Sequence, residues 1–388
     1  MRASRFIASK LRFKGKIAVC SVALSFFIMI IAVAISSGFR REIREGVSAI
    51  SGDIQLTPST LNYVNEEDPI SAAPAYLPAL DSLAGVKSVL PVIYRAGIVK
   101  AGDLIQGVLF KGTPDWTDTT ALGVSIPSRL ADILSLKEGD SMLTYFVGDR
   151  IKVRKFRVTD IYPSILESDG TLLVHASLAD LQRLNGWEEG QASALEVKLE
   201  EGYKSPAMIE KMSEEVGYLT MLRSADWDEP TVATSVIRKY PQLFDWLGLI
   251  DLNVLLILVL MTVVAGFNMI SGLLILLFRH ISTIGTLKAM GMTDRDITSV
   301  FLRVSSSVVL KGMLIGNAAA LLFCLVQGTT HILKLNPVNY FVSFVPVSVD
   351  LPMILLSDVL AYAAILLLLT IPCLFISKVD PARTVRAQ

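Results

Sequence analysis

Cysteine and histidine are scarce in this sequence, three of each in 388 residues. Cys20, Cys324 and Cys373 all fall in apolar runs, where free cysteine behaves as a small buried hydrophobe. Their spacing offers neither a disulfide framework nor a metal motif. His175, His280 and His331 are scattered, with no Cys or Asp pattern to complete a metal set. No G-x-x-x-x-G-K-S/T run is present, so the chain has no phosphate-cradling loop of that kind. Charge excess is also missing: 36 Lys and Arg balance 36 Asp and Glu. That removes the basic surplus of a nucleic-acid binder and any acidic tail. The N-terminal apolar run is too long for a cleaved signal peptide, and a retained membrane anchor is expected.

The largest absence is local. Residues 252–278 hold no Asp, Glu, Lys or Arg, and an apolar run of 18 or more reads as a membrane span. As a helix it reaches ~40 Å, more than the ~30 Å hydrocarbon core requires. Three further runs qualify: residues 17–39, about 304–333 with Lys311 alone charged, and about 351–377 with Asp358 alone charged. At 52% hydrophobic and 19% charged, the chain is too apolar for a soluble protein and too charged for a bare bundle. The expected architecture is four transmembrane α-helices with a large extracytoplasmic α+β domain inserted between helices 1 and 2.

Lys and Arg crowd the N-terminus, recur at Arg279, Lys288, Arg295 and Arg303, and return at Lys378, Arg383 and Arg386. The positive-inside rule then puts both termini in the cytoplasm. The expected division is a cytoplasmic segment 1–16, helix 1 at 17–39 and an extracytoplasmic domain with stalk helices at 40–247. Helix 2 follows at 248–278, a cytoplasmic coupling segment at 279–293 and helix 3 at 294–333. A periplasmic loop at 334–350, helix 4 at 351–377 and a cytoplasmic tail at 378–388 complete it.

Ile43, Val47 and Ile50 recur on one helical face beyond helix 1, and Val232, Val236, Tyr240, Leu243 and Leu247 do so ahead of helix 2, with a kink at Pro241. Two such extensions are expected to pair as a stalk. Between them, alternation and turn residues predict strands near 53–57, 86–99, 104–111, 141–145, 151–161, 172–175 and 194–199. Helices are expected at 76–83, 126–134, 177–184 and 205–216. No nucleophile–base–orienter set stands out, and Trp116, Trp187 and Trp227 read as core or rim aromatics. The domain is expected to bind and to transmit force, and the chain is not expected to be an enzyme.

After helix 2, Gly291 suits a helix stop and Thr293-Asp294-Arg295-Asp296 a capping box, so a short helix at about 282–290 ends there. Ile281, Ile284 and Leu287 share one of its faces. Gly312, Gly316 and Ala320 form a small-residue stripe that lets two helix backbones approach, and Asn268 is expected to hydrogen-bond a neighbouring helix. Asp358 is expected near the outer end of helix 4, where water reaches it.

Several motifs resemble one family. They are Phe6-Ile7-Ala8, Ser37-Gly38-Phe39, Gln242-Leu243-Phe244-Asp245-Trp246 and Ala265-Gly266-Phe267-Asn268-Met269-Ile270. With them go Ile284-Gly285-x-Leu287-Lys288-Ala289-x-Gly291, Val345-Pro346-Val347 and Asp380-Pro381-Ala382-Arg383. Together they resemble the FtsX/MacB-type (type VII) ABC transporter permeases, above all the LolC/LolE-like lipoprotein-releasing branch. Ser37 stands where the family usually has Asn, and Phe278 where an acidic or amide residue is common.

The resemblance implies an inner-membrane permease subunit that extracts lipoproteins and passes them to a periplasmic carrier. It implies a separate ABC ATPase dimer binding ATP and Mg, with no cofactor in this chain, and a second permease subunit, identical or different. Arg279, Ile284, Gly285, Leu287, Lys288, Ala289 and Gly291 would form the ATPase-coupling helix. Acyl chains would lie against Phe26, Phe27 and Ile30 of helix 1 and Leu256, Leu260 and Val264 of helix 2, a lining that equally suits plain bilayer contact. A MacB-like efflux permease and an FtsX-like signalling module remain open as alternatives.

Overall fold

The computed structural model describes residues 16–60, 64, 68–102, 104–118, 120–148, 150–162, 172–336, 340 and 342–373. The motifs at 6–8 and 380–383, and the expected terminal segments 1–15 and 378–388, lie outside them.

Helix α1 (Lys16–Ser51) leads to β1 (Ile54–Pro58), β2 (Ile70–Ser71), α2 (Leu77–Asp81), β3 (Val86–Ala101) and β4 (Leu104–Thr113). Next come β5 (Gly123–Pro127), α3 (Ser128–Leu134), β6 (Ser141–Phe146), β7 (Lys152–Tyr162), β8 (Leu173–Ser177) and α4 (Leu178–Asn185). Then follow β9 (Gln191–Ala192), β10 (Ala194–Leu199), α5 (Pro206–Arg223), β11 (Thr231–Ser235) and α6 (Val236–Lys239). The chain continues with α7 (Pro241–Arg279), α8 (Ile281–Ala289), α9 (Asp294–Thr330), α10 (Leu351–Leu368) and α11 (Thr370–Cys373). Among the described residues, four segments are long and apolar enough to cross a membrane: α1, α7, α9, and α10 with α11. The chain forms two compact units: a helical one of residues up to 41, 246–334 and from 345, and an α+β one of 42–245 and 335–344.

In the α+β unit, β3 serves two structures. Its first half pairs with β10, which continues to β1 and β11. Its second half pairs with β4 and also with β6. The ladders β4–β8, β8–β5, β5–β7 and β7–β6 then close the ring back onto β3. Closure removes open strand edges that would template aggregation. The ring is filled by alternate inward residues, with Phe110, Phe146 and Phe156 at ring-centroid separations of 4.9–6.0 Å.

Three expectations fail here. Residues 126–127 belong to strand β5, not to a helix, which begins at Ser128. The four-residue spacing of Ile126, Leu130 and Leu134 imitates a helical face across a strand–helix junction. Val232 is likewise in a strand, β11, paired with β1. Pro241 does not kink a helix; it opens α7, where its missing N–H costs nothing.

The end of α1 within this unit is held by buried charge. Lys111 Nζ donates to the carbonyls of Ala49 and Ile50 at 2.8 and 3.0 Å and pairs with Glu196 at 2.8 Å. Tyr94 Oη lies within hydrogen-bond reach of Ile50 O, at 2.7 Å, and of the Glu196 carboxylate, either of which can accept its one proton. These groups neutralise carbonyls that a helix C-terminus leaves unpaired. Gly52, at φ +69°, turns the chain away.

Candidate functional site

In the helical unit α1 is the central element. A Cβ at Gly312 of α9 would lie 2.7 Å from Val22, and one at Gly316 would overlap the Ala23 carbonyl. Ala320 is buried with Ile30, Val33 and Ile354. Asn268 Nδ2 of α7 donates to Ser21 Oγ at 2.5 Å. Near the other end of these helices, Asp251 accepts from Ser36 at 2.8 Å and from Arg40 at 2.5 Å, while Phe39 meets Trp246 edge-on at 5.8 Å. Sequence reasoning did not pair Arg40 with Asp251; the signal was there, an Arg cluster beyond helix 1 and an Asp immediately before the charge-free run.

The residues assigned to an acyl-chain lining separate. Phe26 and Ile30 are fully buried inside the unit, Phe26 against Gly316 and Ile30 in the cluster with Ala320. Phe27 is half-buried, edge-on to Phe323 at 6.4 Å. Leu256, Leu260 and Val264 are exposed, on a face of α7 that continues to Phe267. The opposite face, from Ala265 through Met269 and Leu273 to Leu276, packs into the core. Phe26 and Ile30 therefore lie inside the unit rather than on its surface.

The coupling segment folds as α8, bounded by Arg279 and by Gly291 at φ +88°. Thr293 caps the next helix through its Oγ1 and the Asp296 N–H, 3.3 Å apart. Lys288 pairs with Asp294 at 2.8 Å. Ile284 and Gly285 are buried and Leu287 partly so, packed on the membrane helices of the same unit. The outward side carries Thr283, Thr286, Ala289 and Met290, the last 79% exposed. The apolar face with Ile284 is thus occupied within the chain, and the opposite side is the exposed one.

Asp358 is buried, not water-facing as expected; it accepts from Asn317 of α9 at 2.5 Å. Cys324 and Cys373 are buried but Cys20 is exposed, and Trp227 is 82% exposed. Among the described residues, no three His, Cys, Asp or Glu side chains gather to hold a metal.

In the α+β unit, burial lowers the titration of three basic groups. It lowers Lys111, whose partner Glu196 opposes the shift. Burial, with the Lys111 charge adding to it, lowers His175 to about 4. Burial also lowers Lys239 to about 8, against the attraction of Glu196.

The chain combines an apolar helical unit with an α+β unit, and a short helix follows the second long apolar helix. The FtsX-like permease C-terminal model matches residues 255–381, and the MacB-like periplasmic core domain matches residues 17–215. The chain belongs to the FtsX/MacB-type ABC transporter permeases, multi-pass membrane proteins. Two curated relatives match it along almost their whole length. The lipoprotein-releasing system transmembrane protein LolE of Haemophilus influenzae is 21% identical, over 96% of this chain and 94% of the relative. The corresponding LolC of Neisseria meningitidis serogroup B is 21% identical, over 99% of this chain and 98% of the relative. Among solved structures, the periplasmic region of MacB from Actinobacillus actinomycetemcomitans is 13% identical, over 49% of this chain and 91% of that one. Its TM-score is 0.31, too low to add to the family match.

Proposed function

We propose that this chain is the permease subunit of an inner-membrane transporter that releases lipoproteins to a periplasmic carrier. The observation that carries this reading is the near full-length match to LolE and LolC, which spans both units rather than one. It works beside a partner permease and an ABC ATPase that binds ATP and Mg. The α+β unit stands outside the cytoplasm and α8 inside it. The outward side of α8, ending at Met290, seats on the ATPase, while Ile284, Gly285 and Leu287 transmit the push to the membrane helices. α1 and α7 carry it outward, because α1 ends in the Lys111–Glu196 clamp and α7 is tied to it by Asp251 and Asn268. The exposed face of α7, with Leu256, Leu260 and Val264, contacts the acyl chains.

The match of residues 17–215 to the MacB-like periplasmic core favours a second reading, an efflux permease that moves its substrate outside the bilayer. A pulldown from native membranes, with mass spectrometry of acylated proteins across nucleotide states, separates the two. Acylated protein retained in one state supports release; none in any state overturns it.

A further inference from the structure

We propose that the open edge of β11 takes an added strand: an extended segment of another protein in which basic and apolar side chains alternate. Ring closure leaves this edge untouched, since β11 stands last in its branch of the sheet and pairs with β1 alone. Two bonds fix the direction of its backbone groups. Ser59 N–H bonds to Pro230 O at 3.2 Å, and Val236 N–H to Asp53 O at 3.0 Å. In an antiparallel ladder alternate residues face the same neighbour, so Val232 and Thr234 turn to β1, as Pro230 and Val236 do. Thr231 and Ala233 turn outward. Their N–H and C=O groups meet no backbone partner on that side among the described residues, and such a row templates strand addition.

An exposed apolar surface borders the edge. Helix α5 runs antiparallel beside the strand: Ser235 Oγ donates to Glu210 at 2.5 Å, and a Cβ on Gly217 would lie 3.4 Å from that of Ala233. Its last turns therefore reach towards Thr231. Tyr218, Met221 and Leu222 there share one helical face, and with Trp227 of the following turn they are 63–86% exposed. Tyr, Trp and Met are enriched where proteins dock. Charge defines the partner. Residues 224–235 hold Asp226, Asp228 and Glu229 and no Lys or Arg. Asp228 accepts from the Ala75 and Ala225 N–H groups, whereas Asp226 and Glu229 are exposed and form no ion pair with a described residue. The added strand therefore supplies bases. A second copy of β11, Thr231-Val232-Ala233-Thr234-Ser235, supplies none.

The test uses the full chain in a neutral detergent, with fluorescence anisotropy of short labelled peptides. One alternates lysine with valine, another glutamate with valine, and a third repeats the first with every backbone nitrogen methylated. The lysine peptide should bind about tenfold more tightly than either of the others. Trp227→Ser and Ala233→Pro should each weaken it about tenfold. Ala233→Pro fills the outward N–H position and leaves the bonds to β1 in place; should it lower the unfolding midpoint, Trp227→Ser and the methylated peptide decide alone. Ile151→Ser, at an exposed apolar residue in another turn of the unit, should leave binding unchanged. Equal binding of the methylated peptide would overturn the proposal, as would no preference for lysine over glutamate, no binding at all, or undiminished binding in Trp227→Ser. So would self-association that Ala233→Pro abolishes, which would make the occupant a second copy of this chain.

Discussion

Gly38 of α1 lies against the carbonyl of Pro346 so closely that a methyl group there would overlap it; the Val347 nitrogen would be 2.8 Å away. Ser348 N–H bonds to Ala34 O at 3.0 Å in the same place. Two short motifs far apart in the chain thus account for each other: the glycine is small because the proline segment rests on it. Gly38→Ala should cost about 1–3 kcal/mol, the usual penalty for overfilling a packed contact, and lower the unfolding midpoint of the purified chain. Gly248→Ala, in α7 with nothing within 4 Å, should instead be neutral or stabilising by about 0.5–1 kcal/mol. Equal responses at the two sites would show that the contact is not tight.

The membrane helices were legible because a water-soluble helix seldom runs five turns almost without charge. Ring closure was not, since the β3–β6 pairing joins residues 98–100 to 143–145, and only register, not composition, decides it. Apolar runs also hide which face is used: Ile30 and Leu260 look alike in sequence, yet one is fully buried and the other 50% exposed. The same holds at α8, where Ile284 is buried while Met290, just past its end and also apolar, is 79% exposed.

The α+β unit should respond to pH at both ends. His175 is held near 4 in the folded chain, against ~6.5 when unfolded. The unfolded chain then binds more protons between these values, so stability is full above pH ~6.5 and falls towards pH 4, by roughly 3 kcal/mol. Lys239, at about 8 when folded, makes stability rise between pH 8 and ~10.4 for the same reason. The lowered Lys111 acts in the same sense. Unfolding midpoints measured against pH should lose the acid limb in His175→Phe and part of the alkaline rise in Lys239→Met, the remainder coming from Lys111. Unchanged profiles would mean that neither group is shielded from water.

On α8, a charge should have opposite consequences on its two sides. Ile284→Asp buries a carboxylate in the cluster with Leu276, Ile297 and Phe301, costing several kcal/mol, and should lower the yield of folded protein. Met290→Asp touches no core and should leave folding intact while reducing co-purification of the ATPase. If Met290→Asp retains the ATPase fully, the outward side of α8 is not the docking face.

The face of α7 offers the sharpest separation of the two transport readings. Leu256, Leu260 and Val264 are exposed, while Ile30 on α1 is enclosed by Val33, Ala320 and Ile354. A lysine at Ile30 would therefore disturb packing whatever the substrate, and reports nothing about acyl chains. A lysine at Leu260 leaves the core untouched and puts a hydrated ammonium where methylenes would lie, each worth ~0.8 kcal/mol when buried. Near the middle of a span such a charge costs about 2.5–3.5 kcal/mol on insertion scales, so folding should survive in a detergent micelle. Leu260→Lys should abolish co-purification of acylated protein with ATPase binding preserved, whereas Leu260→Met should keep both. If Leu260→Lys retains acylated protein at the unmutated level, this face is lipid-facing only, and the acyl chains travel elsewhere or not at all.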